Sequence, residues 1–468
     1  MNHPLQTKHL FFHSLAALSA FAGLANSAHA ADQSSSPAPS SLQKPAWLSD
    51  LSLDFREGYD DNVFMSGVAS KNLPPLFTVP PGSVAALPNQ SSRVTTVSPK
   101  VGVNFAPLLG SQSAFETLSL AYAPDFVIYH DQSSENYDAH RFLTAIKGHV
   151  GSFSFTADNT LTYIDGNNFG PTFPGGVNFY SGWATIAQGL RVEQIQDVAK
   201  VALRYDQDKF FLRPAASLLY YDMRSELLNL PALGGFPNGY QNYPDRYDVN
   251  GGMDFGYKII PGLALTLGYR YGHQYQQQMS FSPYSSPNDY QRVLLGAEGK
   301  LWQCLSFSLQ GGPDFRSYAP NTAMHITPVS DHHPIKYYGD VAITIDATPR
   351  DAISFKYKAW QWLSMCGRIP VLDSRYDLTY HRVLCHGLTL DLGAHAWDLD
   401  YTSGNISLSR RNDIMYSASA GFTWAATAHF SVNAAYTANL GRNLQNMPDP
   451  QNREFDQNLA SLGIQYKF

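Results

Sequence analysis

Apolar and polar residues alternate at every second position along most of this chain. In DVNGGMDFGYK, residues 248 to 258, Val249, Met253, Phe255 and Tyr257 stand at odd positions, with Asp248, Asn250, Asp254 and Lys258 at even ones. IIPG interrupts, and LALTLGYRYG resumes with Leu263, Leu265, Leu267, Tyr269 and Tyr271 against Thr266, Gly268 and Arg270. Period two is the signature of a strand with two unlike faces. Further pairs of such segments are hinged by TPRD (348–351), CHG (385–387) and ATAH (426–429). Between one pair and the next the connections are long, as at 65–92, 166–181 and Met223–Pro244.

Short turns alternating with long loops predict an all-β fold, a transmembrane antiparallel up-and-down β-barrel with turns in the periplasm and loops outside. Strands are expected to begin near 51, 93, 113, 138, 152, 182, 210, 245, 263, 289, 304, 335, 352, 373, 387, 411, 430 and 455. That is about eighteen, within a range of roughly 16–20, and an even count returns both ends to one side. Between Val192 and Val201 the apolar positions switch from even to odd, which a bulge in one strand or a turn at Gln196–Asp197 would explain.

The two faces differ as a lipid-facing and a water-facing surface should. A Lys or Arg at mid-bilayer costs about 2–4 kcal/mol, and the apolar face is nearly free of charge, with Arg382 the exception, close to a turn. The other face carries Arg204, Asp254, Arg270, Arg292, Glu298, Lys356, Lys358, Arg375, Asp377 and Asp391, the residues expected to line a pore. Tyr220–Tyr221, Tyr269 and Tyr271, Tyr337–Tyr338, Trp360 and Trp362, and Trp397 with Tyr401 gather at the loop ends. Phe105, Trp302 and Trp424 gather at the turn ends, so that two aromatic girdles are expected at two membrane interfaces.

Composition narrows the reading. Charged residues are 15% of the chain and the net charge is −6, which gives no basis for nucleic-acid binding. Residues 1–30 carry an apolar stretch and an Ala28-His29-Ala30 site and are expected to be a secretory signal peptide. Residues 31–46 read as a flexible lead-in and 47–468 as the barrel. The distance from Ala31 to the first strand is too short for the plug of an energy-coupled receptor. Cys304 and Cys385 fall at one end of the strands and Cys366 at the other, so free thiols are expected.

The segment ASLGIQYKF places Ala460, Leu462, Ile464, Tyr466 and Phe468 on one strand face. It resembles the closing strand of Gram-negative outer-membrane barrels, and the resemblance implies that Tyr466 and Phe468 are read by the barrel-assembly machinery. LSLDFREGYDDNVF, residues 51 to 64, is similar to the first strand of the putative β-barrel porin group that includes exopolysaccharide-locus outer-membrane proteins. These resemblances imply a cell outer-membrane location and lipid as a partner.

Candidate chemistry is sparse. Asp331-His332-His333 is a weak metal or hydrolase motif, and Asp60-Asp61-Asn62 lacks the glycine and terminal glutamate of a calcium loop. A Ser-His-Asn arrangement is recognised by geometry rather than order, but no G-x-S-x-G elbow occurs. No cofactor, metal or catalytic residue is expected. On the inner face Lys100, Arg141, Lys147, Arg191, Arg204, Lys200, Lys258, Arg270, Arg292, Lys356, Lys358 and Arg375 outnumber Asp158, Glu193, Asp206, Asp254, Glu298, Asp346, Asp377 and Asp391. That excess predicts a slight anion preference, unless the charges pair across strands. In the long loops Phe173, Tyr180, Phe236, Tyr240 and Tyr243 are candidates for stacking on sugar rings. The function expected is a porin passing small polar solutes or ions by diffusion. A polysaccharide-export or sugar-binding barrel is the alternative, and a barrel hydrolase the next. A homotrimer is compatible with the apolar wall.

Overall fold

The computed structural model describes residues 45–65, 67, 89–110, 112–166, 191–224, 244–278, 285–319, 333–363, 370–385, 387–401, 411–444 and 454–468. The strands are β1 (Leu48–Asp60), β2 (Ser92–Asn104), β3 (Phe115–Tyr122), β4 (Asp125–Tyr129), β5 (Tyr137–Val150), β6 (Phe153–Asp165) and β7 (Gln194–Gln207). They continue with β8 (Phe210–Met223), β9 (Arg246–Ile260), β10 (Leu263–Gln276), β11 (Asn288–Leu301), β12 (Leu305–Tyr318) and β13 (Ile335–Thr348). The last are β14 (Asp351–Leu363), β15 (Pro370–Cys385), β16 (Leu388–Tyr401), β17 (Arg411–Ala425), β18 (Phe430–Asn443) and β19 (Phe455–Lys467).

Each crossing pairs antiparallel with the next along the chain, and β1 closes on β19 from Ser52↔Lys467 to Asp60↔Leu459. β3 and β4 are two halves of one crossing. Tyr122 pairs with Val101 and Phe126 with Val97, so the register runs straight through Ala123–Pro124. Pro124 has no N–H to give the ladder, and the strand breaks there without leaving the wall. The result is a closed barrel of eighteen crossings.

The short connections lie together at one end. Gly151, Gly262 and Gly387 adopt positive φ there, as do Asp208, Trp302 and Gln303. β7 is a single strand in unbroken register with β6 and β8, so it contains neither the bulge nor the turn that the sequence left open, and it starts well after the expected 182. Val192 precedes the strand and is fully buried inside the mouth, which is why the apolar parity changes near it.

Outward positions form an apolar band. Leu265, Leu267, Val293, Leu295, Phe255 and Met253 are exposed, as bilayer-facing side chains must be on an isolated chain. Tyr220, Tyr269, Tyr271 and Tyr337 share that face near the long-loop end, whereas Phe105, Trp302 and Trp424 are exposed near the turns. The girdle expectation is corrected at five aromatics. Tyr221, Tyr338, Trp360, Trp362 and Trp397 face inward and pack on one another's cluster inside the mouth. In an adjacent pair such as Tyr220–Tyr221, one ring must point in when the other points out. The side chain of Tyr401 lies outside the described set. Arg382, on the outer face, sits at the turn end beside Asp351 and the Tyr380 hydroxyl.

Candidate functional site: the inner face

The inner face can be recognised from contacts that skip strands, since only across the interior can distant strands meet. Arg204 on β7 donates to Glu298 on β11 at 2.8 Å and to Asp206 at 2.8 Å. Arg213 on β8 reaches the same Glu298 at 2.7 Å and Asp254 at 2.9 Å. Arg270 pairs with Asp254 at 2.8 Å and Lys258 with Asp206 at 2.6 Å. Five adjacent strands are thus tied by one ion-pair network, beneath which a cavity of about 550 Å³ opens at the short-turn end.

A second network is wholly enclosed. Asp314 on β12 accepts from Arg316 at 2.6 Å and from Arg292 on β11 at 3.1 Å. Arg316 also donates to Gln274 and Asn288, each at 2.8 Å. Tyr290, stacked under both guanidinium groups, gives its hydroxyl to Asp248 at 2.7 Å.

The third group stands on β14–β16. Asp373 takes both Arg375 at 3.0 and 2.9 Å and the Trp397 indole N–H at 3.0 Å. Arg375 lies between the Trp360 and Trp397 rings, 5.0 and 4.9 Å from their centroids. Lys358 sits 4.8 Å from the Trp360 centroid, directly across the ladder from Asp340. Lower down, His395 meets Asp377 at 2.6 Å and His381 meets Asp391 at 2.6 Å, with Lys356 exposed across from Asp377.

All ten charged positions named as pore-lining stand on this inner face, but the counted excess of base does not survive. Arg191 and Glu193 lie before β7 rather than on it. Arg191 is buried against Glu135 at 3.2 Å and against the Val63 carbonyl. Inward positions left out of the count include Arg56, Arg213, Arg246, Arg316 and Lys336. They also include Asp50, Asp54, Asp60, Asp125, Asp248, Asp314, Asp340, Asp373 and Asp413, and these acids outnumber the bases. Parity alone would have found Arg213 and Asp314. Their strands, FFLRPAAS and FSLQGGPDFRSY, alternate less cleanly because glycine, alanine and proline dilute the apolar face.

Phe173, Tyr180, Phe236, Tyr240 and Tyr243, together with Cys366, Asp331 and His332, lie outside the described residues. Cys304 and Cys385 are free thiols. Asp60, Asp61 and Asn62 brace the barrel's closing edge. Asp60 accepts from Gln457 at 3.0 Å and Asp61 from Asn458 at 2.7 Å, while Asn62 gives its amide to the Asp456 carbonyl at 2.7 Å. Tyr466 and Phe468 are exposed on the outer face with ring centroids 4.7 Å apart. Among the described residues no group of three potential ligands could hold a metal ion.

The interior is not equally open along its length. At its outer end β14 parts from β13: the β13–β14 ladder stops at Gly339↔Ala359, while β14 stays paired with β15 to Leu363↔Pro370 and β15 with β16 to Val371↔Tyr401. Beyond Ala359 this tip lies inside the barrel. The Gln361 carbonyl accepts from Gln274 and from Arg316, both at 3.1 Å, which are inward side chains of β10 and β12. Its other side packs Trp360, Trp362 and Val371 on Tyr221, Met223, Val192 and Leu399. Arg246 caps this cluster, 4.5 Å from the Tyr221 ring and 5.6 Å from that of Trp362.

No protein-family model and no curated protein matches the chain. Among solved structures it is similar to Pseudomonas aeruginosa OccK3 (OpdO), at 11% identity over 90% of this chain and 95% of that one, with a TM-score of 0.40. It is similar also to OpdK of the same organism, crystallised with vanillate, at 10% identity over 90% and 100% with a TM-score of 0.41. A third is its OccK2 (OpdF) in complex with glucuronate, at 10% identity over 90% and 98% with a TM-score of 0.40.

Proposed function

We propose that this barrel is an outer-membrane channel that passes small polar solutes or ions by passive diffusion, without chemical turnover. The observation that carries the reading is the contrast between its faces. An apolar outer band surrounds an interior studded with arginine, lysine and carboxylate, and charges in that number need water beside them. Because most inner charges are paired, the channel is weakly ion-selective, and the anion preference suggested by counting bases alone falls away.

Refolding the chain into a planar bilayer under a salt gradient tests this. Discrete current steps with a reversal potential near zero are expected. A correctly folded barrel that never conducts would refute the channel. The similarity of residues 51 to 64 to exopolysaccharide-locus barrels extends the reading to saccharides as solutes. It is tested by adding an oligosaccharide to one chamber: transient block of the steps supports it, and unaltered steps exclude it.

A further inference from the structure

The tucked outer end of β14, which carries β15 with it, matches the β13 edge it has left. β13 begins at Ile335 and β14 ends at Leu363, and the last pair they share is Gly339↔Ala359. Continued in the same register, Tyr338 would face Trp360, Tyr337 would face Gln361, Lys336 would face Trp362, and Ile335 would face Leu363. Both four-residue segments already have strand geometry, since β13 is held there by β12 and β14 by β15. The two unused edges are equal in length and end together.

We infer that the β13–β14 seam is a zipper with two states, and that zipping it withdraws the tip from the mouth and opens the channel. This rests on the channel reading above. In the tucked state the Gln361 carbonyl is held by Gln274 and Arg316, and Leu363 is completely buried. That state has a defect, because both amide atoms of the buried Gln361 side chain lack a hydrogen-bond partner. A buried amide left unbonded is costly. In the zipped state its parity turns it outward beside Tyr337, which is 78% exposed near the long-loop end where water and head groups can bond it. Zipping also exchanges two carbonyl contacts for a run of ladder bonds between segments that need no refolding. Trp360 and Trp362 keep their inward parity and move from the centre of the mouth to its wall. Each state has something the other lacks, as a two-state element requires.

The test is a reversible cross-link in the full chain. Tyr337→Cys with Gln361→Cys places two thiols opposite each other only when the seam is zipped, in a background with Cys304→Ser, Cys366→Ser and Cys385→Ser. Heat-modifiable gel mobility confirms the fold, and Ile335→Cys with Leu363→Cys serves as the second pair. Oxidation is expected to consume both thiols and raise single-channel conductance several-fold, with reduction restoring the smaller step. Thiols that stay free in both pairs would overturn the zipper. A formed cross-link with unchanged conductance would show that the tip does not control the mouth. A cross-linked barrel silent before and after reduction would instead sink the channel reading itself.

Discussion

Replacing Arg316 by methionine should be among the most destabilising changes in the barrel. The Arg316 and Asp314 side chains are both fully buried. Methionine fills most of the stem's volume, so packing changes little and the loss is electrostatic. Four hydrogen-bond acceptors lose this donor: Asp314 at 2.6 Å, Gln274 and Asn288 at 2.8 Å, and the Gln361 carbonyl at 3.1 Å. The amides can keep their own bond, Asn288 to Gln274 at 3.1 Å. Asp314 keeps only Arg292, at 3.1 Å. Breaking one partner from a buried pair costs about 3–5 kcal/mol, and the surviving Arg292 puts this case near the lower end. About 3 kcal/mol is a little over a hundredfold in the unfolding equilibrium. Equilibrium guanidinium unfolding of the barrel refolded in lipid vesicles, followed by tryptophan fluorescence, reads it directly. The double variant with Asp314→Asn removes the stranded charge and should lose clearly less than the two single losses combined. A single variant within about 0.5 kcal/mol of wild type, or two losses that simply add to that accuracy, would refute the argument.

Three further outcomes follow from the same geometry. Leu295→Arg places a cation in the middle of the outer band, where Leu295 is 68% exposed. It should cost about 2–4 kcal/mol in the vesicle unfolding assay, and no measurable loss would mean that this wall does not face lipid. Gly256→Val sets a side chain into the Phe211 ring, which is pinned beneath the Arg204 guanidinium 3.6 Å away. Overpacking of this kind costs about 1–3 kcal/mol, and Gly256→Val with Phe211→Leu should recover part of it. Trp302 and Gln303 both hold left-handed backbone, with φ of 51° and 59°. Trp302→Asn with Gln303→Gly should therefore raise stability by roughly 1–2 kcal/mol, unless Trp302 anchors at the membrane interface, in which case the gain vanishes in lipid but remains in detergent.

Alternation made the strands legible because a barrel wall imposes it everywhere. The hinge at Pro261–Gly262 and the inward parity of the ten charges named as pore-lining could be read directly. Depth could not. Parity states that Trp360, Trp362 and Tyr221 share a face with Lys358, but whether that face meets water or another wall depends on where the strand end goes. Nothing in AWQWL announces that β14 will leave β13. Charge pairing was hidden for a similar reason. Glu298 on β11 serves Arg213 and Arg204 from strands three and four places away, a contact set by barrel curvature and long side chains rather than by spacing along the chain. The start of β7 was misplaced because Val192 is apolar for an interior packing role and imitates a lipid-facing position.

The clamp between Asp60–Asn62 and Asp456–Asn458 has a kinetic meaning. Every other wall pairing joins chain neighbours, so each can form as a local hairpin at modest entropic cost. The seam between β1 and β19 joins residues such as Asp60 and Gln457, 397 positions apart. Closing a loop of that length from a free chain would cost about 5 kcal/mol on the logarithmic rule, and far less once the intervening strands have zipped and curved. The seam is thus the last contact to be made and the first to part. Its far end is fastened by carboxylates and amides rather than by apolar packing alone. Such a latch holds only in its correct register, because a slip by one residue would turn one of Asp60 and Gln457 toward the bilayer and part the pair. The latch therefore ties ring closure to one register of β1 against β19.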